Sequence, residues 1–295
     1  MSGAAAIEVD EALLRGWPLP RPDGNGDKES RGRVLVVAGS REMPGAALLA
    51  GTAALRAGAG KLTLATAASV APMIALAMPE ARVIALPEAA GGGLLEEGAG
   101  LLEALAGATA ALLAGPGLVD PDSSLPLVRR LLPLFADATI VLDALAMDVV
   151  RAQPALPQAV VMTPHAGEMA HLTGLEKDAI RQRPLELALR QAAQWGAVVA
   201  LKGAVTHIAD PLHGRAWRHA SRTPGLGTSG SGDVLAGLIA GLAARGATPA
   251  QAAVWGVTLH ARAGDRMAER TGRLGYLARE LAGEVPALMD ALAGS

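Results

Sequence analysis

Short runs of apolar residues recur along the first two thirds of the chain, separated by polar and glycine-rich stretches. Their apolar character is nearly continuous, which is typical of strands that are covered on both faces of a sheet. Segments with helical spacing lie between them, as at 45–60 and 183–196. This alternation predicts an α/β fold, a doubly wound, mostly parallel sheet with helices on both faces. The predicted strands are 33–39, 61–66, 108–115, 139–144, 159–164 and 197–203.

The pattern changes in the last third of the chain. Two short segments on either side of 210–214 predict an antiparallel pair, and the remainder predicts helices over 234–246, 248–270 and 277–294. Thr248 followed by Pro249 is a favourable start for the second helix. Residues 16–32 are rich in proline, glycine and charge, and no long linker follows them. We therefore expect an N-terminal arm over 1–30 and a single domain over 31–295.

Composition narrows the classes of partner. The net charge of the 295 residues is −2 and only 2% are aromatic, so a nucleic-acid partner is not expected. The absence of cysteine excludes disulfides and thiolate metal sites, and it suits a cytoplasmic protein. The longest uncharged run, 62–79, contains two prolines and predicts a strand, a turn and a helix. Because acidic residues also interrupt the first eleven positions, we expect no signal peptide and no membrane partner.

Polar residues follow several of the predicted strands, at the carboxyl edge where parallel sheets bind ligands. Asp143 ends an apolar strand, so it either caps the next helix or needs a partner or a metal for its charge. His165 and Glu168 follow the next strand. His165 is a candidate substrate contact, and the alternative is a simple helix start capped by Thr163.

The segment after the sixth predicted strand, LKGAVT, carries a second candidate contact. Lys202 either reaches solvent from the sheet edge or, with Gly203 and Thr206, contacts the phosphate or ribose of a nucleotide.

The stretch GLGTSGSGDVLAG, residues 225–237, contains a G-x-G-x-x-G at Gly225, Gly227 and Gly230. A Rossmann loop is disfavoured, because no second strand of a β-α-β unit follows and the acid beyond the required spacing, Asp265, lies in a predicted helix. A P-loop is disfavoured because no Gly-Lys-Ser/Thr follows. The motif therefore has to be explained by another kind of anion site.

Residues 229–232 precede a helix and can direct bare backbone N–H groups at an anion. Asp233 follows in the first turn, where it either complements the helix dipole or takes the proton of an alcohol during phosphoryl transfer. We favour a kinase-like site in which Gly230, Ser231 and Gly232 form the anion hole and Asp233 is the base. The earlier glycines are then a flexible approach to it.

These motifs resemble the ribokinase-like superfamily and, more narrowly, the ADP-dependent NAD(P)H-hydrate dehydratases. The resemblance covers about residues 28–290, and MPGAALLA with TPHAGEM makes it more specific than GSGD alone. The matching segments, in order, begin with GRVLVVAGSREMPGAALLA and continue with AGPGL, VLDA, TPHAGEM, LKGAVT, GTSGSGDVLAGLIAGL and LHARAGD. One departure is Ser229-Gly230, where the family usually has two glycines.

The resemblance implies a lyase that repairs hydrated nicotinamide nucleotides, (6S)-NADHX or NADPHX. ADP phosphorylates the ring hydroxyl, phosphate is then lost, and NADH or NADPH, AMP and phosphate result, with Mg²⁺ assisting through ligands that stay unassigned. It also suggests a homo-oligomer, a tetramer. The implied substrate contacts are Ala47, Gly117, His165 and Asp233. The implied contacts to the adenine nucleotide are Lys202, Gly203, Ala204, Val205, Thr206 and Gly232.

Two alternatives remain open from the sequence. One is a ribokinase-like kinase for a small molecule such as hydroxymethylpyrimidine or hydroxyethylthiazole, which would leave a stable phosphorylated product. The other is a non-catalytic nucleotide-binding sensor, against which Asp233 and the intact glycines argue.

Overall fold

A ten-stranded sheet runs through the molecule and contains all six of the predicted strands. The computed structural model describes residues 5–21, 28–153, 155–156 and 159–293. The strands are β1 (Ile7–Glu8), β2 (Arg33–Val37), β3 (Lys61–Ala67), β4 (Ala81–Leu86), β5 (Ala111–Ala114), β6 (Thr139–Leu142), β7 (Val160–Met162), β8 (Val198–Leu201), β9 (Val205–Asp210) and β10 (Arg215–Ala220).

The strand order is β1-β10-β9-β8-β7-β6-β5-β2-β3-β4. Neighbouring strands are parallel except where β9 pairs with β8 and with β10, so the mostly parallel sheet and the antiparallel pair are both confirmed. The chain builds β2, β3 and β4 outward in one direction and β5 to β8 in the other. The order therefore reverses between β2 and β5, and in such sheets this is where a crevice opens beyond the carboxyl ends of the strands.

Helices cover both faces of the sheet, as predicted. They are α1 (Glu11–Gly16), α2 (Gly45–Arg56), α3 (Ala71–Ala77), α4 (Pro121–Leu134), α5 (Val149–Ala152), α6 (Ala166–Thr173), α7 (Lys177–Gln182), α8 (Pro184–Trp195), α9 (Ser231–Ala244), α10 (Pro249–Arg270) and α11 (Ala278–Ala293). Thr248 caps α10 as expected, because its side chain accepts a hydrogen bond from the Gln251 amide. Among the described residues, no helix combines the length and apolar character needed to cross a membrane.

The sheet separates two hydrophobic cores. Along β2, Val34 and Val36 point into the core that contains α2, α9 and α10, whereas Leu35 and Val37 point into the core that contains α4 and α8. Because successive side chains of a strand face opposite sides, a strand buried on both faces must be apolar throughout. This is the physical basis of the continuous apolar runs in the sequence.

Part of the predicted N-terminal arm packs against this core. The rings of Trp17 and Trp217 stack with centroids 5.5 Å apart, and Trp255 Nε1 donates to the carbonyl of Trp17 at 2.9 Å. β1 also adds a short parallel strand beside β10. The described part of the arm thus contains a strand and a helix that the sequence pattern did not reveal. The division at residue 30 stays a prediction.

Candidate functional site

The amino terminus of α9 forms a turn that only glycine accommodates. Gly230, the N-cap, has a φ of 85°, and a Cβ there would lie 2.5 Å from Leu49 Cδ1. The Ser231 amide donates to the carbonyl of Thr228 at 3.2 Å. The amides of Gly232 and Asp233 belong to the first helical turn and have no acceptor one turn earlier in the helix. They are thus the better anion-binding amides, and the predicted role of the Ser231 amide is weakened.

Asp233 lies in the first turn of α9, as predicted, and is partly buried. Burial and the nearby charge of Asp143 raise the pKa of Asp233 to about 7, although the positive charge of Lys202 acts to lower it. A carboxylate with this pKa holds and releases a proton near neutral pH, which is what a general base requires. The environment of Asp233 therefore supports more than a capping role.

Asp143, Thr163 and Lys202 form a hydrogen-bonded cluster beside the first turn of α9. Thr163 Oγ1 donates to Asp143 Oδ1 at 2.6 Å, and Lys202 Nζ donates to the same oxygen at 3.1 Å. Asp143 is almost completely buried, so this pairing compensates the cost of burying its charge. Its side chain makes no capping hydrogen bond to the 3₁₀ turn that follows. Of the two predicted roles, the charge that needs a partner is therefore confirmed, and the capping role is wrong.

Lys202 is held at the centre of the site instead of extending into solvent. Burial acts to lower the pKa of Lys202, but the charges of Asp143 and Glu168 outweigh it and raise that pKa. Its Nζ lies 3.6 Å from Glu168 Oε2, and a Cβ on Gly232 would lie 3.5 Å from Nζ. The ammonium group therefore stands directly beside the amides that would bind an anion.

His165, and not Thr163, caps the helix after β7. The amides of Gly167 and Glu168 both donate to His165 Nδ1 at 3.0 Å, and the His165 amide donates to Glu168 Oε2 at 2.7 Å. With Nδ1 acting as an acceptor, the neutral ring carries its proton on Nε2, and the side chain is 58% exposed. The predicted Thr163 cap is wrong. His165 Nε2 lies 3.6 Å from Glu168 Oε2 and remains accessible to a substrate.

A cavity of about 660 Å³ lies on one side of the α9 turn, a volume in the range of ligand pockets. The walls include most of the predicted nucleotide contacts, whereas Val205 is absent from the lining. The predicted residues in the lining are His165, Lys202, Gly203, Ala204, Thr206, Ser231 and Gly232. Wall residues that the sequence did not indicate include Leu226, Val257, His260 and Ala261.

Gly117 and Ala47 lie where the strand order reverses. The Gly39 amide donates to the carbonyl of Pro116 at 2.8 Å, which joins the loops after β2 and β5. A Cβ on Gly117 would lie 2.8 Å from the carbonyl oxygen of Met43, so this close approach requires glycine. Ala47 is fully buried and packs near Gly39. Gly117 thus lies at the close contact between the two loops, whereas the buried Ala47 side chain contributes by packing.

The first glycine of the G-x-G-x-x-G, Gly225, does not form part of a flexible approach to the anion site. Gly225 is buried in a 3₁₀ turn, Pro224–Leu226, and its amide donates to Thr223 Oγ1 at 3.1 Å. A Cβ on Gly225 would lie 2.5 Å from Tyr276 Cε1. Gly225 is required for tight packing, so the expected flexibility is wrong for Gly225, whereas for the exposed Gly227 it stays a prediction.

Comparison with known proteins gives a consistent result. A family model described as NAD(P)H-hydrate dehydratase matches residues 34–287. A Xanthomonas campestris pv. campestris protein named ADP-dependent (S)-NAD(P)H-hydrate dehydratase is 51% identical over 292 residues, 99% of each chain. The chain belongs to the NAD(P)H-hydrate dehydratase family.

Solved structures agree with this family assignment. The ADP/ATP-dependent NAD(P)H-hydrate dehydratase of Bacillus subtilis, co-crystallised with ATP and Mg²⁺, is 31% identical with a TM-score of 0.85, covering 98% of this chain and 100% of its own. A ribokinase-like superfamily protein of Enterococcus faecalis is 26% identical with a TM-score of 0.83, covering 98% and 96%. The predicted ribokinase-like fold is confirmed.

The arrangement in this member of the NAD(P)H-hydrate dehydratase family combines three chemical functions. Asp233 is a carboxylate with a pKa near neutrality, the first-turn amides of α9 can stabilise negative charge, and Lys202 supplies a cation beside them. The cavity adjoins this centre, whereas Ala47, at the start of α2, and Gly117, in the loop after β5, do not line it. Such a site can bring a phosphate donor and a hydroxyl acceptor together.

Proposed function

We propose that the protein catalyses the ADP-dependent dehydration of (6S)-NADHX or NADPHX to NADH or NADPH, releasing AMP and phosphate. The observation that carries this proposal is Asp233, a carboxylate with a pKa raised to about 7 beside unbonded helix N-terminal amides. Family membership supplies the substrate class. The name of the Xanthomonas relative agrees with this substrate class, since that protein is called an ADP-dependent (S)-NAD(P)H-hydrate dehydratase.

In the proposed reaction, ADP occupies the cavity and its terminal phosphate lies against the amides of Gly232 and Asp233. Asp233 accepts the proton of the ring hydroxyl while that oxygen attacks the β-phosphorus of ADP, and AMP leaves. The phosphate ester then breaks at its C–O bond, the neighbouring ring carbon loses a proton to the departing phosphate or to water, and the ring double bond of the dihydronicotinamide is restored. The amides stabilise charge on the transferred group, which is the larger part of catalysis in phosphoryl transfer.

The binding roles follow from the placement of the predicted residues. Residues 202–206 and Gly232 would hold the adenine nucleotide, with Leu226 and Val257 providing an apolar wall for the base. His165 would donate from Nε2 to the hydrated nicotinamide nucleotide, which also contacts Gly117 in the crevice. Ala47 would contribute by packing, since its side chain is fully buried.

Mg²⁺ would be bound mainly through the phosphates of ADP. Among the residues that the structure describes, no group of three His, Asp or Glu side chains is placed to hold a metal ion. Mg²⁺ in nucleotide sites needs only one or two carboxylates in addition to phosphate oxygens and water. Glu168, which is partly exposed beside Lys202, fits this requirement better than the buried Asp143. When bound, Mg²⁺ would neutralise phosphate charge.

The decisive test incubates the protein with acid-hydrated NADH and ADP and follows the return of the reduced-nicotinamide absorbance. We expect recovery with the wild type and none with Asp233→Asn, which should still bind ADP. Recovery at the wild-type rate with Asp233→Asn would contradict the mechanism. If no recovery occurs with ADP or ATP, the small-molecule kinase becomes the better hypothesis. The tetramer and the cytoplasmic location stay predictions.

A further inference from the structure

A buried histidine on α10 contacts the anion-binding turn. His260 Nε2 lies 2.9 Å from Ser231 Oγ, across the packed interface between α10 and α9. His260 is 8% exposed, and burial lowers its pKa to about 4, so the ring is neutral at physiological pH. The side chain also borders the cavity proposed for ADP. It belongs to the LHARAGD segment, whose histidine has no role in the mechanism above.

We infer that His260 is a positioning residue that fixes the first turn of α9 for the phosphate of ADP. This inference rests on the proposed function of that turn as the anion hole. Ser231 is held at two points, because its amide donates to Thr228 and its hydroxyl pairs with His260. With Ser231 fixed, the next amide, that of Gly232, keeps its direction toward the phosphate.

The surroundings of His260 argue for this role over simple packing. The interface between α9 and α10 is otherwise built from closely packed small and apolar groups, and a Cβ on Gly256 would lie 2.6 Å from Ile239 Cγ1. A buried imidazole costs free energy in such a place unless it makes a hydrogen bond, whereas a leucine would pack without that cost. The polar pair is therefore best explained by the orientation of Ser231.

A double-mutant cycle on ADP binding tests the inference. The variants are His260→Leu, Ser231→Ala and the double substitution, and binding of ADP alone is measured by titration calorimetry. We expect each single substitution to raise the dissociation constant of ADP roughly fivefold to tenfold, as for one lost hydrogen bond. The double variant should lose no more ADP affinity than the single variant that binds ADP more weakly, since both substitutions remove the same contact between His260 and Ser231.

Two further variants separate positioning from folding. His260→Gln places an amide group near the position of Nε2 and should restore most of the ADP affinity. Thr258→Val is the matched control, because Thr258 is equally buried on α10 but its hydroxyl donates within the helix to Val254. Its ADP affinity should equal that of the wild type. In steady-state assays, the His260 variants should change KM for ADP and leave KM for the hydrated nucleotide unchanged.

Contrary outcomes are distinguishable from failure of the proposed function. The inference is overturned if His260→Leu binds ADP as tightly as the wild type, if the losses multiply in the double variant, or if Thr258→Val weakens binding equally. If the wild type binds ADP but does not dehydrate the hydrated nucleotide, the proposed function fails while the positioning role still holds. If the wild type does not bind ADP, both fail.

Discussion

Replacing Asp233 with asparagine should abolish turnover and at the same time stabilise the folded protein at alkaline pH. Burial of the carboxylate and the negative charge of Asp143 raise the pKa of Asp233 from its ordinary 3.8 to about 7, although the positive charge of Lys202 acts to lower it. A group with this environment destabilises the fold whenever it is ionised. The asparagine amide has a similar size and no charge, so it removes that cost.

The magnitude follows from the raised pKa. The difference between 3.8 and about 7 corresponds to about 4 kcal/mol when the carboxylate is fully ionised, because one pH unit contributes about 1.4 kcal/mol. Asp233 is only partly buried, so solvent screening reduces the expected gain to about 2 kcal/mol. The folded state holds the proton more tightly than the unfolded chain. The wild type therefore loses stability as the pH rises from about 4 to about 7, and the advantage of the variant is complete above that range.

Urea unfolding followed by tryptophan fluorescence measures this effect, since Trp195 and Trp255 are fully buried. Unfolding free energies of Asp233→Asn and the wild type are compared at pH 5 and at pH 8. The advantage of the variant should be larger at pH 8. Asp122, an exposed aspartate in the first turn of α4, provides the control, and Asp122→Asn should show no comparable gain. A stability difference that is independent of pH, or a variant less stable at pH 8, would refute the reasoning.

Three other substitutions test separate parts of the site. In the wild type, kcat/KM for the hydrated nucleotide should rise with pH to a plateau above about 7. Asp143→Asn should move this rise to lower pH, because it removes the negative charge that raises the pKa of Asp233. A pH profile that does not move would contradict this coupling between the two carboxylates. Lys202→Met should lower the free energy of unfolding by about 3 kcal/mol, because the charge of the buried Asp143 loses its cationic partner. A decrease of less than about 1 kcal/mol, measured by urea unfolding, would show that the pairing is weak. Gly230→Ala should lower the free energy of unfolding by about 2 kcal/mol or more, because alanine disfavours a φ of 85° and its Cβ would meet Leu49 Cδ1. The same substitution should weaken ADP binding in calorimetry, and an ADP affinity equal to that of the wild type would argue against the anion hole.

The sheet was largely predictable because burial on both faces leaves a direct trace in the sequence. β4 escaped because it is an edge strand whose exposed positions, such as Arg82, interrupt the apolar run. β1 escaped because it has only two residues, and its place is set by pairing with β10. Local signals therefore identify central strands, and tertiary pairing decides the edges.

The candidate site was predictable in its residue types but not in its contacts. The sequence places Asp143, His165 and Lys202 after successive strands, so their meeting at one edge follows from the parallel topology. It does not show that Lys202 turns back onto Asp143, 59 positions earlier in the chain. His260 lies in the matching segment LHARAGD, but its contact was not predictable, because one histidine in a helical segment does not reveal its partner until the opposite helix is known.

The strength of the proposed base results from three charges that must be considered together. Lys202 pairs with the buried Asp143 at 3.1 Å, and the negative charge of Asp143 raises the pKa of Asp233. Lys202 also acts on Asp233 directly and lowers that pKa, so the value of about 7 is a balance between the two effects. A phosphate that bound beside Gly232 would attract the ammonium group of Lys202, because a Cβ added to Gly232 would lie only 3.5 Å from Lys202 Nζ. Any weakening of the Lys202–Asp143 pair by the nucleotide would leave Asp143 less compensated and raise the pKa of Asp233 further, so that a smaller fraction of Asp233 is ionised at neutral pH. The geometry thus links occupation of the phosphate site to the protonation state of Asp233.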